Sequence, residues 1–454
     1  MYNSVSIKRS LLFFICAWAA VSGGRAEAVR TWTLQECISY ALENNISLKM
    51  ANAQTQMCDI DTRDSKAAWL PTMSASLNES AMWRPLQESE VNYVNGGMST
   101  TSSKRTTESG SYGINAAWLV YNGGQRKLGI RSAEIAKQMS ILSAQQQQDL
   151  LMEQIAQLYV QILYMEEALK VNERVLVQDS IIWQRGVAFM DAGKMARASV
   201  LELEATMENG RYDVVNTRTR IDEAKLQLAQ LLELPAGEKV EVMGLPAVDE
   251  QARKPIPSYM EVYAKALETR PEMERGRLNI EKSQLATKMA RAARIPTISL
   301  NAGVNDSHMT GAVNSLGKQL RNNLNATIGV GVTIPILDQH RVKNNVERAR
   351  INELTAQLDM VDTQKKLYQS IEQYWQNATN SQQKFLASES NVRSREASYE
   401  LLDEQFKVGL KNISDLLQSR QMLLQSRQTL LQDKYTTLLN RCLLDFYSGE
   451  GIGI

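Results

Sequence analysis

The chain has 454 residues and a formal net charge of +1, from 51 basic and 50 acidic side chains. This balance argues against nucleic-acid binding, which requires a concentrated basic face. Only 6% of the residues are aromatic. Because Gln, Leu, Ala and Glu dominate instead, we expect long helices.

The N-terminus has the three parts of a secretory signal peptide. Lys8 and Arg9 form a basic region, residues 11–21 are mainly apolar, and Ala26-Glu27-Ala28 has the small-x-small pattern of a cleavage site. The apolar run is shorter than the roughly 20 residues that cross a bilayer, which disfavours an uncleaved anchor. We therefore predict a signal peptide over residues 1–28.

The rest of the sequence is doubled. Ala41-Leu42-Glu43 recurs at 266–268, and Pro71 recurs as Pro296, both displaced by 225 positions. From Asn122 onward the displacement falls to 216, so copy one holds nine extra residues before Asn122, in a segment that we interpret as a surface loop. The predicted domains are a first repeat over 29–234, an inter-repeat linker at the equator over 235–256, a second repeat over 257–447 and a C-terminal tail over 448–454.

Each copy contains two segments with an apolar residue at every second position, which is the period of a strand with one apolar face. These segments are residues 72–83 and 111–121 in copy one, and 297–304 and 323–334 in copy two. Residues 84–109 are polar and predict a long loop. We therefore expect one β-hairpin in each copy.

Each copy also contains very long helical segments. Residues 33–66 predict a single helix in copy one. Asn122 and Asp338 are suitable N-caps, and no proline follows them until the turns at Gly193 and Gly409. Some 70 residues of helix would span roughly 100 Å, which predicts an elongated molecule. The helix that returns after Gly409 repeats leucine pairs every seven residues, a coiled-coil spacing.

Four strands cannot close a membrane barrel by themselves. The smallest membrane barrels have eight strands, and an open edge in lipid leaves backbone groups unpaired. If these strands lie in lipid, two copies of the chain would supply eight strands and three would supply twelve. The predicted fold class is mainly α with membrane β-hairpins: the long coiled-coil helices of two internal repeats form an α-barrel, and four strands enter a shared β-barrel.

This order of elements resembles the TolC family of outer-membrane efflux and secretion channels over essentially the whole mature chain. The junctions that carry the resemblance are Pro71, Pro296, Asn122, Asp338, Gly193 and Gly409. The resemblance implies a homotrimer with a twelve-stranded barrel in outer-membrane lipid and a helical tunnel across the periplasm. It also implies docking to a periplasmic adaptor (a membrane fusion protein) and an inner-membrane pump of RND or ABC type, so that the channel is the passive exit duct of a tripartite efflux or type I secretion system.

The resemblance places adaptor docking at the two helix turns. The corresponding residues are Val408, Gly409 and Leu410 in copy two and, as a weaker match, Ala192, Gly193 and Lys194 in copy one. A purely local interpretation also stands: the glycines supply the positive φ that a tight turn demands. Docking would be an addition to that role.

The resemblance also places a pore constriction at Asp415, Lys411, Ser199 and Gln418. Three copies of Asp415 around an axis would concentrate negative charge. Alternatively, Asn412 and Asp415 are the N-cap and N3 residues of the returning helix, where an acid favours the helix dipole. The two roles are compatible.

The tyrosine–aspartate–arginine latch of well-known gated members is not intact in this chain. Phe406 stands where the family has a tyrosine, and Ser199 stands where it has an acid. We hypothesise that closure depends on packing and on Lys411 instead.

An enzyme and a soluble scaffold are the two alternative classes of protein. His308 and His340, the two histidines of the chain, have no partner at a catalytic motif spacing, so we predict neither an enzyme nor a cofactor or metal site. A soluble periplasmic coiled-coil adaptor or scaffold is the alternative function, although it should carry compact β domains beside a single helical hairpin. Drug, metal, lipid and protein cargoes all remain open.

Overall fold

The structure is a computed structural model that describes residues 31–86, 90–94, 97–101, 106–245, 248–310 and 314–452. The predicted signal peptide, residues 1–28, lies outside this part of the chain. The fold divides into two compact units. Unit 1 comprises the described parts of 1–46, 148–263 and 370–454, and unit 2 comprises those of 47–147 and 264–369.

Helices dominate the described chain, and their lengths show the doubling directly. In chain order they are α1 (Leu34–Asn44), α2 (Ile46–Ala67), α3 (Gln125–Asp191), α4 (Arg197–Leu231), α5 (Val248–Arg253), α6 (Tyr259–Thr269), α7 (Pro271–Ala292), α8 (Leu316–Asn323), α9 (Arg341–Lys407) and α10 (Ile413–Tyr447). Helices α1 to α4 have 11, 22, 67 and 35 residues, and α6, α7, α9 and α10 have the same four lengths. The predicted pair of internal repeats is therefore confirmed.

The strands form three sheets within the described residues. In chain order they are β1 (Thr31–Trp32), β2 (Thr72–Trp83), β3 (Glu90–Val94), β4 (Gly97–Thr101), β5 (Thr106–Asn122), β6 (Glu241–Val242), β7 (Thr297–Met309) and β8 (Asn325–Thr333). β1 and β6 pair in parallel, and β3 and β4 form a separate antiparallel pair. The largest sheet has the antiparallel order β2-β5-β7-β8 and belongs to unit 2.

The two faces of the four-stranded sheet differ in polarity in the rows to which all four strands contribute. Residues directly opposite in neighbouring antiparallel strands lie on the same face, and adjacent residues of one strand lie on opposite faces. One row across the sheet is Met73, Ala116, Ala302 and Ile328, and a second row on that apolar face is Ala75, Ile114, Val304 and Ala326. The intervening row, on the polar face, is Ser74, Asn115, Gly303 and Thr327. In these rows the strand register therefore places apolar residues of all four strands on one face of the sheet and small or polar residues on the other.

The core of unit 1 is built around the short parallel pair. Trp32 of β1 and Tyr159 of α3 are both almost fully buried. The Tyr159 hydroxyl lies 3.0 Å from the carbonyl oxygen of Trp32 and 2.6 Å from that of Met243, and burial raises the pKa of Tyr159 to about 12. This buried hydroxyl thereby ties α3 to both β1 and the segment after β6.

The predicted single helix over 33–66 is wrong, because the helix is interrupted at Asn45. Asn45 has extended backbone angles (φ −58°, ψ 127°), and its side-chain amide donates to the carbonyl oxygen of Leu231 (3.1 Å). The N–H of Ile46 donates to the carboxylate of Glu233 (3.3 Å). Groups at the end of α4 and just beyond it therefore replace hydrogen bonds of a continuous helix.

Three strands have bounds that differ from the predicted ones. β5 begins at Thr106 instead of 111, and β7 continues to Met309 instead of 304, because backbone pairing persists where Asp306 and His308 occupy apolar-face positions and end the alternation. β8 begins at Asn325 instead of 323, since Asn323 ends α8, and it ends at Thr333 instead of 334.

Three connecting segments contain structure that the sequence did not indicate. The predicted loop 84–109 includes β3 and β4, the linker 235–256 includes β6 and α5, and α8 lies between β7 and β8. In the predicted tail, Ile452 is buried in the core of unit 1. The β1–β6 pair joins Thr31 to Glu241, two residues too far apart in the sequence for a local pattern to predict their pairing.

No helix in the described part of the chain is both long enough and apolar enough to cross a bilayer.

Candidate functional site

The turn between α9 and α10 in unit 1 is closed by a pair of backbone hydrogen bonds around Gly409. The Gly409 N–H donates to the carbonyl of Phe406 (3.0 Å), and the Leu410 N–H donates to that of Gln405 (2.9 Å). Gly409 has φ +79°, a conformation that favours glycine and satisfies the last carbonyls of the helix. The local interpretation of this glycine is confirmed.

The turn between α3 and α4 has the same geometry. Gly193 has φ +72° and occupies the position of Gly409. Its two closing bonds run from the Gly193 N–H to Met190 (2.9 Å) and from the Lys194 N–H to Phe189 (2.8 Å). The two copies therefore share their turn backbone and differ in the side chains that the turns present.

Those side chains are apolar in one turn only. Val408 and Leu410 are 70% and 75% exposed, whereas the exposed neighbours of Gly193 are Ala192 and Lys194. Adjacent large apolar side chains in solvent indicate a contact surface. The structure thus makes the α9–α10 turn the better candidate for docking a partner.

The first turn of α10 holds two of the residues expected at a constriction. Asn412 is the N-cap, and its side-chain oxygen accepts a hydrogen bond from the N–H of Asp415 (2.8 Å). The Nζ of Lys411 lies 3.6 Å from Oδ2 of Asp415, and the two side chains are 45% and 40% exposed. The capping interpretation is confirmed, and the Asp415 carboxylate still reaches solvent.

The other two expected residues are not part of this pair. Gln418 lies exposed on α10, and Ser199 lies half-buried in the first turn of α4. Within the described part of the chain, Asp415 contacts Asn412 and Lys411 and forms no side-chain hydrogen bond with Ser199 or Gln418. A protomer therefore brings Lys411 and Asp415 together without Ser199 and Gln418.

An apolar cluster in unit 1 is formed by residues from all four long helices that flank the two turns. Its buried members are Ile182, Leu203, Phe406, Ile413 and Leu416. Phe406 accordingly has its ring in an apolar environment, where a hydroxyl would need a hydrogen-bond partner. The ring of Phe406 therefore packs in this cluster without needing a hydrogen-bond partner.

A buried ion pair, which the sequence did not indicate, joins α3 to α10. Arg420 donates a hydrogen bond from its guanidinium to the carboxylate of Asp179, and the two residues are 8% and 4% exposed. Burial raises the pKa of Asp179 from 3.8 to about 6, and the charge of Arg420 offsets only part of that effect. The pair is therefore held in an environment that disfavours the charged carboxylate.

The sequence signal for this pair is ambiguous. Arg420 belongs to the segment Gln-Ser-Arg-Gln at 418–421, which recurs at 425–428 with Arg427 in the equivalent position. Arg427 instead pairs with Glu396 (2.6 Å) and is partly exposed. Identical local sequence thus places one arginine inside the bundle and the other near its surface.

Comparison with known proteins identifies the family. The family model described as Outer membrane efflux protein matches residues 37–233 and 262–450, which are most of both copies. The chain belongs to the outer membrane efflux protein family. The predicted resemblance to TolC-like channels is thereby confirmed.

Three relatives illustrate the similarity. The outer membrane efflux protein BepC of Brucella suis biovar 1 is 22% identical over 399 residues, which cover 87% of this chain and 80% of BepC. The pyoverdine export outer membrane protein OpmQ of Pseudomonas aeruginosa is 21% identical over 423 residues, covering 89% and 84%. The solved structure of CusC has a TM-score of 0.77 at 18% identity and covers 92% of both chains. These likenesses confirm the predicted fold class.

In this outer membrane efflux protein, a polar layer lies next to the buried ion pair. The side-chain amide of Asn172 donates to the hydroxyl of Thr217 (3.2 Å), and the amide of Gln428 donates to the side-chain oxygen of Asn172 (3.3 Å). The layer joins α3, α4 and α10. Among the described residues, no group of three or more His, Cys, Asp and Glu side chains is arranged to hold a metal ion.

Proposed function

We propose that this protein is the passive outer-membrane exit duct of a tripartite efflux system, assembled from three copies of the chain. The single observation that carries the proposal is the four-stranded sheet of unit 2. Its apolar face extends across β2, β5, β7 and β8 in the rows that begin at Met73 and Ala75, and much of that face is exposed to solvent in the protomer. An exposed apolar face of this extent indicates a lipid or protein environment.

The alternation of the sheet fits a barrel wall between lipid and water. Met73, Leu77, Ile328 and Val330 are all more than two-thirds exposed on the apolar face. The opposite face carries Ser, Asn, Thr and Gly at the aligned positions. A membrane barrel requires apolar side chains outside and polar side chains toward the lumen.

The sheet also requires neighbours at both of its edges. β2 and β8 each pair with one other strand within the described chain, so the outer backbone groups of both need partners if the sheet lies in lipid. Pairing of β8 with β2 of a second copy would supply them.

The helices attached to the edge strands carry exposed apolar stripes that support the same assembly. The stripe on α2, which leads into β2, contains Met50, Met57 and Ile60. The stripe on α9, which follows β8, contains Ile351, Leu354, Leu358 and Val361. The α9 residues are spaced by three, four and three positions and the α2 residues by seven and three, and both patterns fit the seven-residue period of a helix–helix seam. We infer that α2 of one copy packs against α9 of the next.

The resemblance to the TolC family favours three copies, and hence twelve strands, over two copies with eight strands. In that assembly the helix turns would be the periplasmic tips. Val408, Gly409 and Leu410 would contact a periplasmic adaptor, and Ala192, Gly193 and Lys194 would form a second, weaker contact. The adaptor would connect the duct to an inner-membrane pump of RND or ABC type, which provides the energy.

We further propose that Asp415 and Lys411 line the constriction, with Gln418 and Ser199 nearby. Each protomer presents a carboxylate whose neighbouring ammonium is 3.6 Å away. Three such pairs around an axis would form alternating charges, so the ring would be less negative than three carboxylates alone. Lys411 would then set the selectivity of the constriction.

The relatives favour efflux over secretion. BepC is named an efflux protein and OpmQ a pyoverdine export protein, which supports a small-molecule cargo. The alternative of a soluble periplasmic scaffold gives no role to a sheet that has one apolar face and whose edge strands, among the described residues, each pair on one side only.

The test is to express the full chain in a Gram-negative host, extract the outer membrane in detergent, and measure mass and conductance. We expect a particle of three copies plus detergent that produces stepwise currents in planar lipid bilayers. A soluble monomer or dimer that produces no currents would contradict the duct and support the scaffold.

A further inference from the structure

The helices of unit 2 carry an uneven charge next to the four-stranded sheet. The helical segments nearest to the sheet in α2, α3, α7 and α9 are residues 57–67, 125–135, 282–292 and 341–351. Together these segments contain twelve basic and five acidic residues, although the formal net charge of the whole chain is only +1. Positive charge is therefore concentrated where the helices meet the sheet.

Six basic side chains of this region are exposed and form no ion pair among the described residues. We call these six residues the junction belt: Lys127 of α3, Lys288 and Arg291 of α7, Arg294 between α7 and β7, and Arg341 and Lys343 of α9. Each lies within four residues of the end of its helix, which corresponds to about 6 Å along the helix axis. The belt is therefore a narrow band of charge beside the sheet.

The fold places the belt residues side by side. The strands β5, β7 and β8 are neighbours in the sheet, and they connect to α3, α7 and α9, respectively. Gly123, between β5 and α3, lies so close to α7 that a Cβ atom there would be 2.8 Å from the carbonyl oxygen of Ala292. This close approach holds the start of α3 against the end of α7. Like charges are thereby brought together, an arrangement that an anionic partner stabilises.

Exposed tryptophans mark the end of the apolar face of the sheet beside the belt. Trp118 lies on that face, two residues from Ala116, and its indole N–H donates to the carbonyl of Trp69 (2.8 Å). Trp69 is half exposed, and the guanidinium of Arg126 lies 4.6 Å from the centre of its ring. Tryptophans in such positions are typical of the boundary between hydrocarbon and lipid head groups.

The segment between β8 and α9 has the same character. Ile336 and Leu337 are almost fully exposed, and Arg341 and Lys343 follow them in the sequence. Apolar side chains that can enter hydrocarbon, followed by basic side chains that remain among the head groups, are features of an interfacial membrane contact. This part of the belt therefore combines an apolar anchor with positive charge.

The length of the apolar face agrees with this boundary. On β5 the face extends from Tyr121, which lies opposite Ile298, to Tyr112. A strand of this length, tilted as in membrane barrels, rises by roughly 20–25 Å, close to the apolar band of such barrels at roughly 25 Å. Lipid head groups would therefore begin at the level of the helix ends.

The other end of the apolar face is not basic. Asp306 lies opposite Tyr112, and the next row on the same face contains Glu79 and His308. The hydroxyl of Tyr112 donates a hydrogen bond to the carboxylate of Glu79. Carboxylates at this end repel phosphate groups, whereas the belt attracts them, so the two ends of the face prefer different lipid head groups.

We propose that the junction belt binds the phosphate groups of anionic phospholipids in the periplasmic leaflet of the outer membrane and thereby fixes the depth of the duct in the bilayer. The proposal rests on the proposed function, because it requires the apolar face of the sheet to lie in lipid. A basic ring that faced the lumen would instead attract anionic cargo. The exposed Trp69, Ile336 and Leu337 beside the belt favour lipid.

The experiment measures the lipid preference of the full-length protein in phosphatidylcholine vesicles. Brominated phosphatidylglycerol, which is anionic, is compared with brominated phosphatidylcholine as a quencher of tryptophan fluorescence. Trp69 and Trp118 lie beside the belt, so quenching reports which lipid occupies that position. Bilayer recordings of the same proteins measure the ratio of cation to anion permeability.

Two triple variants remove different halves of the belt. The variants are Lys288→Gln/Arg291→Gln/Arg294→Gln and Lys127→Gln/Arg341→Gln/Lys343→Gln. The matched control removes three exposed basic side chains that lie more than about 20 Å from the sheet along their helices: Lys49→Gln/Arg277→Gln/Lys366→Gln. Because the two halves come from different helices, a half whose variant fails to assemble leaves the other half to decide the result.

One basic residue near an anionic surface strengthens the attraction by about fivefold. We therefore expect each belt variant to lower the preference for phosphatidylglycerol by at least about tenfold, and the control to retain the wild-type preference. The wild-type preference should also weaken at high salt.

Two results would overturn the belt while leaving the duct intact. One is a conducting wild type with the same lipid preference as the belt variants. The other is an unchanged lipid preference in the belt variants together with an altered ratio of cation to anion permeability, which would place the belt in the lumen. A wild-type protein that neither enters vesicles nor conducts would instead overturn the proposed duct.

Discussion

Ile328 of β8 lies directly opposite Ala302 of β7 on the apolar face of the sheet, while the adjacent Thr327 lies opposite Gly303 on the polar face. Neighbouring residues of one strand therefore provide a matched test of the membrane orientation. A lysine on the lipid face near the bilayer midplane costs about 2–4 kcal/mol per chain, whereas a lysine toward a water-filled lumen does not.

We expect Ile328→Lys to prevent assembly in the outer membrane and Thr327→Lys to assemble normally with altered ion selectivity. The measurement is the amount of assembled protein in purified outer membranes, followed by bilayer recordings of the protein that assembles. Equal assembly of the two variants would show that this face does not contact lipid.

Leu410→Glu tests the proposed docking surface. Leu410 is exposed beside Gly409, and its backbone N–H, not its side chain, closes the turn. The substitution should therefore abolish export in cells while the purified protein retains normal assembly and conductance. Lys194→Glu at the equivalent position of the other turn is the control and should reduce export less. Normal export by Leu410→Glu would remove this turn from the proposed docking surface.

Regular alternation of apolar and polar residues predicted the strands of the four-stranded sheet. Where that alternation ends, the predicted strand bounds were wrong. β2 has the bounds 72–83 that the period of two indicates, because polar and apolar faces alternate along its first part. In β7 the same rule failed beyond 304, since Asp306 and His308 occupy the apolar-face positions. Backbone pairing with β5 continues beyond residue 304 although the sequence no longer alternates between apolar and polar residues.

Tertiary contacts determine the structural features that the sequence did not predict. The break at Asn45 depends on hydrogen bonds to Leu231 and from Ile46 to Glu233, which come from a distant segment of chain. The turns were predictable because glycine has a specific backbone role. The Asp179–Arg420 pair was not, because a heptad repeat gives Arg420 and Arg427 the same local context.

Lys411→Ala tests the contribution of this residue to the constriction. Lys411 lies 3.6 Å from Asp415, so its removal would leave the carboxylates without their nearest positive charge. We expect larger cation selectivity and a changed single-channel conductance, both diminishing at high salt because exposed charges are screened. Lys366→Ala, which removes a more exposed lysine that is likewise paired with an acid four residues away, Asp362 on α9, is the control. Unchanged conductance in Lys411→Ala would refute the hypothesis that Lys411 controls closure.

Leu416→Ala tests the apolar cluster near the turns. Leu416 is fully buried among Ile182, Leu203, Phe406 and Ile413, so truncation should leave a cavity and lower the free energy of unfolding by about 2–5 kcal/mol. The adjacent Leu417 is only partly buried, and Leu417→Ala should cost less. Thermal unfolding in detergent, followed by circular dichroism, measures the difference. Because the cluster contains residues of both hairpins, Leu416→Ala should also raise the open probability of the duct. Equal stability of the two variants, with no change in open probability, would show that the cluster contributes little to closure.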